Sequence, residues 1–374
     1  MHPNHVLAAV TAIAIAAPMA LAGDLTPPPG IVAPTMKPLD QVEPRTPVNT
    51  LPAGVDSIHL IDQPGSYYLT GNITGAVGMN GIRISADNVS LDLNGFVITG
   101  VAGSGHGVIA LSVNGLVLGN GSVVGFTMRG IEAASARSAV FDTLIVRDSG
   151  DKGIAAGFDS VLRGCIATGN GSDGIFTNTG ALVVRCIANS NSGDGFDISV
   201  GCSLIDCIAD NNAGSGYFII KDVSVDGCLA RNNGSHGLDA GAGTTVRGCH
   251  LRRNGDRGIR AGSGCVLIGN HCDENVGPGI SAAGQCLVSE NSCASNGFFG
   301  GDAAGILIEG ARNRVHANTV IANDRGIEVT AIDNVITSNV ASGNGVNYVI
   351  LAGNDTAPIT SAAVAISPLA NTEN

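Results

Sequence analysis

The residues best suited to chemistry are basic ones on an acidic chain. Arg231 and Arg252 stand 21 residues apart, as do His236 and Arg257, and Asp239 and Arg260; Arg253 adjoins Arg252. The net charge is −12, so this island of cations calls for an explanation. Guanidinium groups grip carboxylate or sulfate oxygens through paired hydrogen bonds. An anionic ligand such as a uronate or sulfated sugar would therefore fit them. Neutralising a uronate carboxylate with Arg252, Arg257 and Arg260 would acidify its C5 proton, and β-elimination would follow if a base took that proton. On this reading His236 or an arginine is the base, His236, Asp239 and Arg260 form the catalytic set, and Arg231, Arg252, Arg253 and Arg257 bind substrate. The competing reading is a charged solvent face that discourages edge-to-edge association.

Two other features bear on the same region. Asp197 and Asp239 share one repeat position, two periods apart, which on stacked strands means about 9.5 Å. That separation suits an inverting glycoside hydrolase at best. Phe298 and Phe299 fall in NGFFGGDAAG (296–305), the stretch in which a period five residues longer than its neighbours takes its extra length. Aromatic rings on such a loop can stack on sugar rings or tuck down as a local hydrophobic plug. A surface with no Trp and four Tyr otherwise offers few sugar platforms.

What positions these residues is a repeat. Gly-apolar pairs recur every 21 residues from Gly153-Ile154 to Gly279-Ile280 and again from Gly305-Ile306 to Gly326-Ile327. Gly81, Gly107 and Gly130 extend the series with spacings of 26 and 23. Seventeen places after each anchor glycine comes an asparagine: Asn170, Asn191, Asn212, Asn233, Asn254, Asn275 and Asn296. Apolar residues one and three places after the anchor alternate as in a short strand, so the residue between them points outward. A period near 20 with three strand-like runs is the mark of a coil stacking on itself. Twelve such coils, each about 4.8 Å above the last, make a cylinder on the order of 55–60 Å tall. Stacked asparagines can hydrogen-bond along their column and tolerate left-handed corners. The stretch NSGDGFD (191–197) is then a corner and a strand rather than a calcium turn, because calcium repeats recur every nine residues and this one does not. No cofactor is expected and no metal-ligating residue is assigned, with calcium as the weaker alternative.

The motif VLRGCIATGNGSDGI, repeated across residues 153–297, resembles the right-handed parallel β-helix repeat family of the pectate-lyase-like superfamily. IDQPGSYYLTGNIT with NGIRISADNVSLDLNGFVITG resembles the first turns of secreted members, and NRVHANTVIANDRGIEV resembles the Asn-rich repeats of carbohydrate-binding relatives. The resemblance spans roughly 55–345 and implies an all-β, right-handed solenoid. It says little about activity, because the fold carries lyases, hydrolases, epimerases, phage spikes and adhesins. The paired aspartates and G-H-G loop of polygalacturonase-like members are missing; Ser104-Gly105-His106-Gly107 is a partial echo without its acids.

Residues 1–22 read as a secretory signal ending in Ala20-Leu21-Ala22, with an uncleaved anchor as the alternative, since the n-region lacks Lys and Arg. Residues 23–54 are a proline-rich linker or arm, 55–345 the β-helix, and 346–374 a C-terminal cap and tail. The ten cysteines fall into three repeat columns, and parallel stacked side chains rarely offer the disulfide dihedral, so they are expected as small core residues. The acidic balance argues against nucleic acid, and nothing after the signal is apolar enough to span a bilayer. The expected protein is secreted or periplasmic, binding or cleaving an acidic polysaccharide; the alternative is a non-catalytic surface scaffold or adhesin.

Overall fold

The computed structural model describes residues 45–297, 303–362 and 367–374. The expected export segment, most of the proline-rich arm, and Phe298 and Phe299 lie outside the described residues. Among the described residues no helix is long and apolar enough to cross a membrane.

The chain from Arg45 onward winds into a parallel β-solenoid. One coil shows the plan: Ile259–Ala261 lies on the first face, Val266–Ile268 on the second and His271–Asp273 on the third. First-face strands stack in sequence order into a 14-stranded sheet, from Ser57–Ile61 to Val346–Ile350. The other two faces form one 28-stranded sheet. In the regular region each residue pairs in parallel with the residue 21 places on, as Ile259 does with Ile280. The glycine pattern marks twelve coils. The two further first-face strands, at the ends, carry Ile58 and Asn347 where the others carry glycine, and so escape that pattern.

The anchor glycine and the asparagine seventeen places later are two halves of one constraint. A Cβ on Gly216 would sit 2.8 Å from Asn233 Nδ2 and 2.6 Å from the Gly237 carbonyl oxygen. The glycine therefore makes room for the asparagine. Each buried asparagine amide in turn spans neighbouring coils: Asn212 Nδ2 donates to Asn233 Oδ1 and to the Ala188 carbonyl, both at 3.0 Å. Its Oδ1 accepts the Asn191 backbone N–H. Corner backbone groups that would otherwise be orphaned are thus satisfied.

The cysteines are buried and free. Cys165, Cys186, Cys207, Cys228 and Cys249 occupy the column that Asn270, Asn291, Asn318 and Asn339 continue, and the Cys249 N–H donates to Asn270 Oδ1 at 3.0 Å. This second asparagine ladder takes over where the thiols stop. Inward residues such as Leu251, Leu267 and Ile280 close the core. At the far end Asn371–Glu373 pairs with Val340–Ser342, so the tail returns to cover the open edge.

Candidate functional site

The residues singled out in the sequence divide between two faces. Arg231 and Arg252 are outward on the third face, in register with each other and with Asp210 and Asp273. The column therefore reads Asp-Arg-Arg-Asp. Arg231 pairs with Asp210 at 2.9 Å, while Arg252 pairs with Asp273 at 3.0 Å and with Glu274 at 2.9 Å. Arg253 sits at the adjoining corner in left-handed backbone (φ 53°) and also binds Glu274. The two guanidinium groups hold the Glu274 carboxyl below its usual range. Stacked arginines here need no outside anion, because carboxylates of neighbouring coils supply the charge.

His236, Asp239, Arg257 and Arg260 belong to the first face. Leu238–Ala240 and Ile259–Ala261 pair so that Asp239 lies directly beneath Arg260. Arg260 Nη1 donates to both Asp239 carboxylate oxygens at 3.0 Å, yet the guanidinium side chain stays 54% exposed. Arg257 reaches Ser281 Oγ at 2.6 Å and Glu309 at 3.0 and 3.2 Å. His236 is mostly covered, with Nδ1 buried, 3.5 Å from Asp256 Oδ2 and without a hydrogen bond. Burial pushes the imidazole pKa down, outweighing the nearby carboxylates of Asp256 and Asp239. The ring is therefore biased toward its neutral form.

A shallow groove of about 360 Å³ opens over this region. Asp239 and Arg260 lie in it, Phe218 and Ile220 line it, and Glu309 comes from a later corner. Phe218 projects from the coil below Asp239 with 40% of its surface exposed. His236 and Arg257 are not among the lining residues. The groove thus combines an aromatic ring, one guanidinium and one carboxylate on strand-ladder positions with the corner carboxylate of Glu309.

A second charged cluster, missed in the sequence, lies further along the same face. The column one residue before the anchor glycine holds Lys152, Asp173 and Asp194 in succession. Lys152 Nζ contacts Asp173, lies 3.0 Å from Asp197 Oδ2 and sits 4.8 Å above the Phe176 ring. Burial alone would lower the Lys152 pKa, but its two carboxylate partners outweigh it and raise the value. Asp194 is different. Burial, reinforced by Asp173 and Asp197, pushes its carboxyl up to about 6, against the Ser215 N–H it accepts at 2.6 Å. The repeat spacing displays the column; the burial that perturbs it exists only once the coils stack. Asp197, which shares a repeat position with Asp239, is engaged by Lys152 and does not form a hydrolytic couple with Asp239.

Comparison with known proteins agrees with this architecture. The family profile described as "Right handed beta helix region" matches residues 80–233 and 220–361. Among solved structures, the A-module of mannuronan C-5 epimerase AlgE4 from Azotobacter vinelandii superposes with a TM-score of 0.61 at 14% identity, covering 72% of this chain and 90% of that one. The A-module of mannuronan C-5 epimerase AlgE6 from the same bacterium gives 0.56 at 17% identity, covering 83% and 91%. At such identities the likeness is one of fold. No curated protein sequence matches the chain.

Proposed function

The chain belongs to the right-handed β-helix family, and on that premise we propose that it is an exported protein that holds an acidic polysaccharide along the first face of its coil stack. The observation that carries this reading is the groove over Phe218, Asp239, Arg260 and Glu309. An exposed phenyl ring suits the C–H face of a sugar. Carboxylates accept hydrogen bonds from sugar hydroxyls, and the guanidinium keeps N–H groups beyond those turned to Asp239 for a uronate carboxylate. Parallel strands hold Phe218, Asp239 and Arg260 in place before the ligand arrives, which limits the ordering cost of binding. Two proteins of similar fold are named for mannuronan, a uronate polymer, which supports the choice of substrate class.

Cleavage is a second reading, favoured by the depressed pKa of His236. A neutral imidazole can take a C5 proton; the electron pair then forms the C4–C5 double bond as the C4–O bond breaks, and the leaving sugar's oxygen takes a proton from water. Against it, His236 Nδ1 is buried, and Arg257 is already bound by Glu309. Binding is therefore the conclusion.

The test is a panel of uronate and neutral polysaccharides, measured for affinity and for unsaturated product. The double variant Asp239→Asn, Arg260→Gln removes the paired charges of Asp239 and Arg260 without stranding either. The expected outcome is a preference for uronate polymers in the wild type that disappears in the double variant. Equal affinity for neutral and acidic polymers in both proteins would refute the acidic assignment. Unsaturated product that His236→Ala abolishes would establish the lyase reading.

A further inference from the structure

On the third face, two adjacent coils place histidine over histidine. His250 opens the strand His250–Arg252, His271 opens His271–Asp273, and the register pairs the two directly. Asp273, two residues beyond His271, projects from the same side of the sheet. His250 Nε2 lies 2.8 Å from Asp273 Oδ1, and His271 Nε2 lies 3.6 Å from the same oxygen. The two rings meet edge to face with centroids 4.7 Å apart. One ligand atom from each of the three residues falls within 4.8 Å of the others.

We propose that His250, His271 and Asp273 form a binding site for a divalent transition-metal ion, with zinc as the expected occupant. Two imidazole nitrogens and one carboxylate oxygen make a three-ligand zinc set that leaves a fourth position open to water or another ligand. Tetrahedral bonds of about 2.0–2.1 Å put ligand atoms about 3.3 Å apart. The two histidine-to-carboxylate separations of 2.8 and 3.6 Å bracket that value, and all three ligand atoms lie within 4.8 Å of one another, so the side chains need only draw together around the ion. Imidazole selects zinc, copper or nickel, whereas calcium and magnesium demand oxygen ligands.

The surroundings suit the assignment. Both histidine side chains are 47% exposed, so an ion can reach them from solvent. Arg252 Nε holds the other carboxylate oxygen of Asp273, Oδ2, at 3.0 Å, which leaves Oδ1 turned to the histidines. Outer partners of this kind orient a ligand, and their loss typically costs about 10–100-fold in affinity. Glu274 lies against Arg252 and Arg253, so two carboxylates balance two guanidinium groups and no net positive charge opposes the ion. The ten thiols are buried and do not compete in the folded protein.

The experiment is calorimetric titration of the purified protein with Zn²⁺, and separately with Ca²⁺, in a non-chelating buffer. The variants are His250→Ala and His271→Ala, with His316→Ala as a histidine control elsewhere; circular dichroism verifies that each keeps the wild-type fold. The expected result is saturable zinc binding at these residues. Each ligand variant should weaken it by at least about tenfold, while His316→Ala stays within about twofold. Ca²⁺ should give no heat that the two ligand variants abolish. Absence of zinc binding in the wild type, or zinc binding of equal strength in both ligand variants, would overturn the proposal.

Discussion

Replacing Asp194 by asparagine should stabilise the protein in neutral solution and leave it unchanged in acid. Burial and the charges of Asp173 and Asp197 raise the Asp194 pKa to about 6, from an ordinary 3.8. The folded state therefore holds a proton that the unfolded chain releases more readily. The associated stability is fully present below about pH 4 and is lost as the pH climbs through about 6. A gap of about two units corresponds to about 3 kcal/mol. Water still reaches part of the carboxylate, and screening reduces the figure to about 1–2 kcal/mol. Asparagine keeps the oxygen that accepts the Ser215 N–H and carries no charge at any pH. Urea unfolding of both proteins should therefore give a gain of about 1–2 kcal/mol for Asp194→Asn near pH 7.5, vanishing near pH 4. A difference that is the same at both ends of the range would refute the reasoning, because the effect would then be one of packing rather than protonation.

Three other perturbations have defined outcomes. Asn212→Ala removes a buried amide and orphans the Asn191 N–H, so urea unfolding should show a loss of about 3–5 kcal/mol. Phe218→Ala, at an exposed ring, should leave the unfolding midpoint within about 0.5 kcal/mol of wild type. It should weaken polysaccharide binding by about 5–10-fold in affinity electrophoresis, equivalent to about 1 kcal/mol of lost ring contact. Burial pushes the Cys272 thiol pKa up and all ten cysteines are buried, so a thiol reagent should label none in the native protein and all ten after denaturation.

Much of the fold can be read from Gly153 to Asn296, because a coil that stacks on itself must repeat its steric solutions at a fixed interval. The glycine at 216 and the asparagine at 233 recur together since one makes space for the other. The terminal coils are harder to read: Ile58 and Asn347 stand where the others carry glycine, and edge coils face fewer neighbours. The second asparagine ladder is disguised where Cys165 to Cys249 fill its column.

The site is only half legible. That Asp239 and Arg260 would meet follows from their 21-residue spacing. That Glu309 would reach back to Arg257 does not, because 52 residues and one enlarged coil separate them. Arg231 and Arg252 suggest an unfilled anion site only until Asp210 and Asp273 are placed above and below them. Lys152, Asp173 and Asp194 stand in an evident column, yet the perturbation of Asp194 depends on how deeply its corner is buried.

The most direct test of the account is to footprint the protein with hydroxyl radicals, with and without a polymannuronate oligosaccharide. The account predicts protection concentrated on the groove strands, at Phe218, Ile220 and the peptide carrying Arg260, with the third-face peptide around Arg231 unchanged. Protection around Arg231 and Arg252 instead, or no protection on the first face when the oligosaccharide is bound, would contradict it.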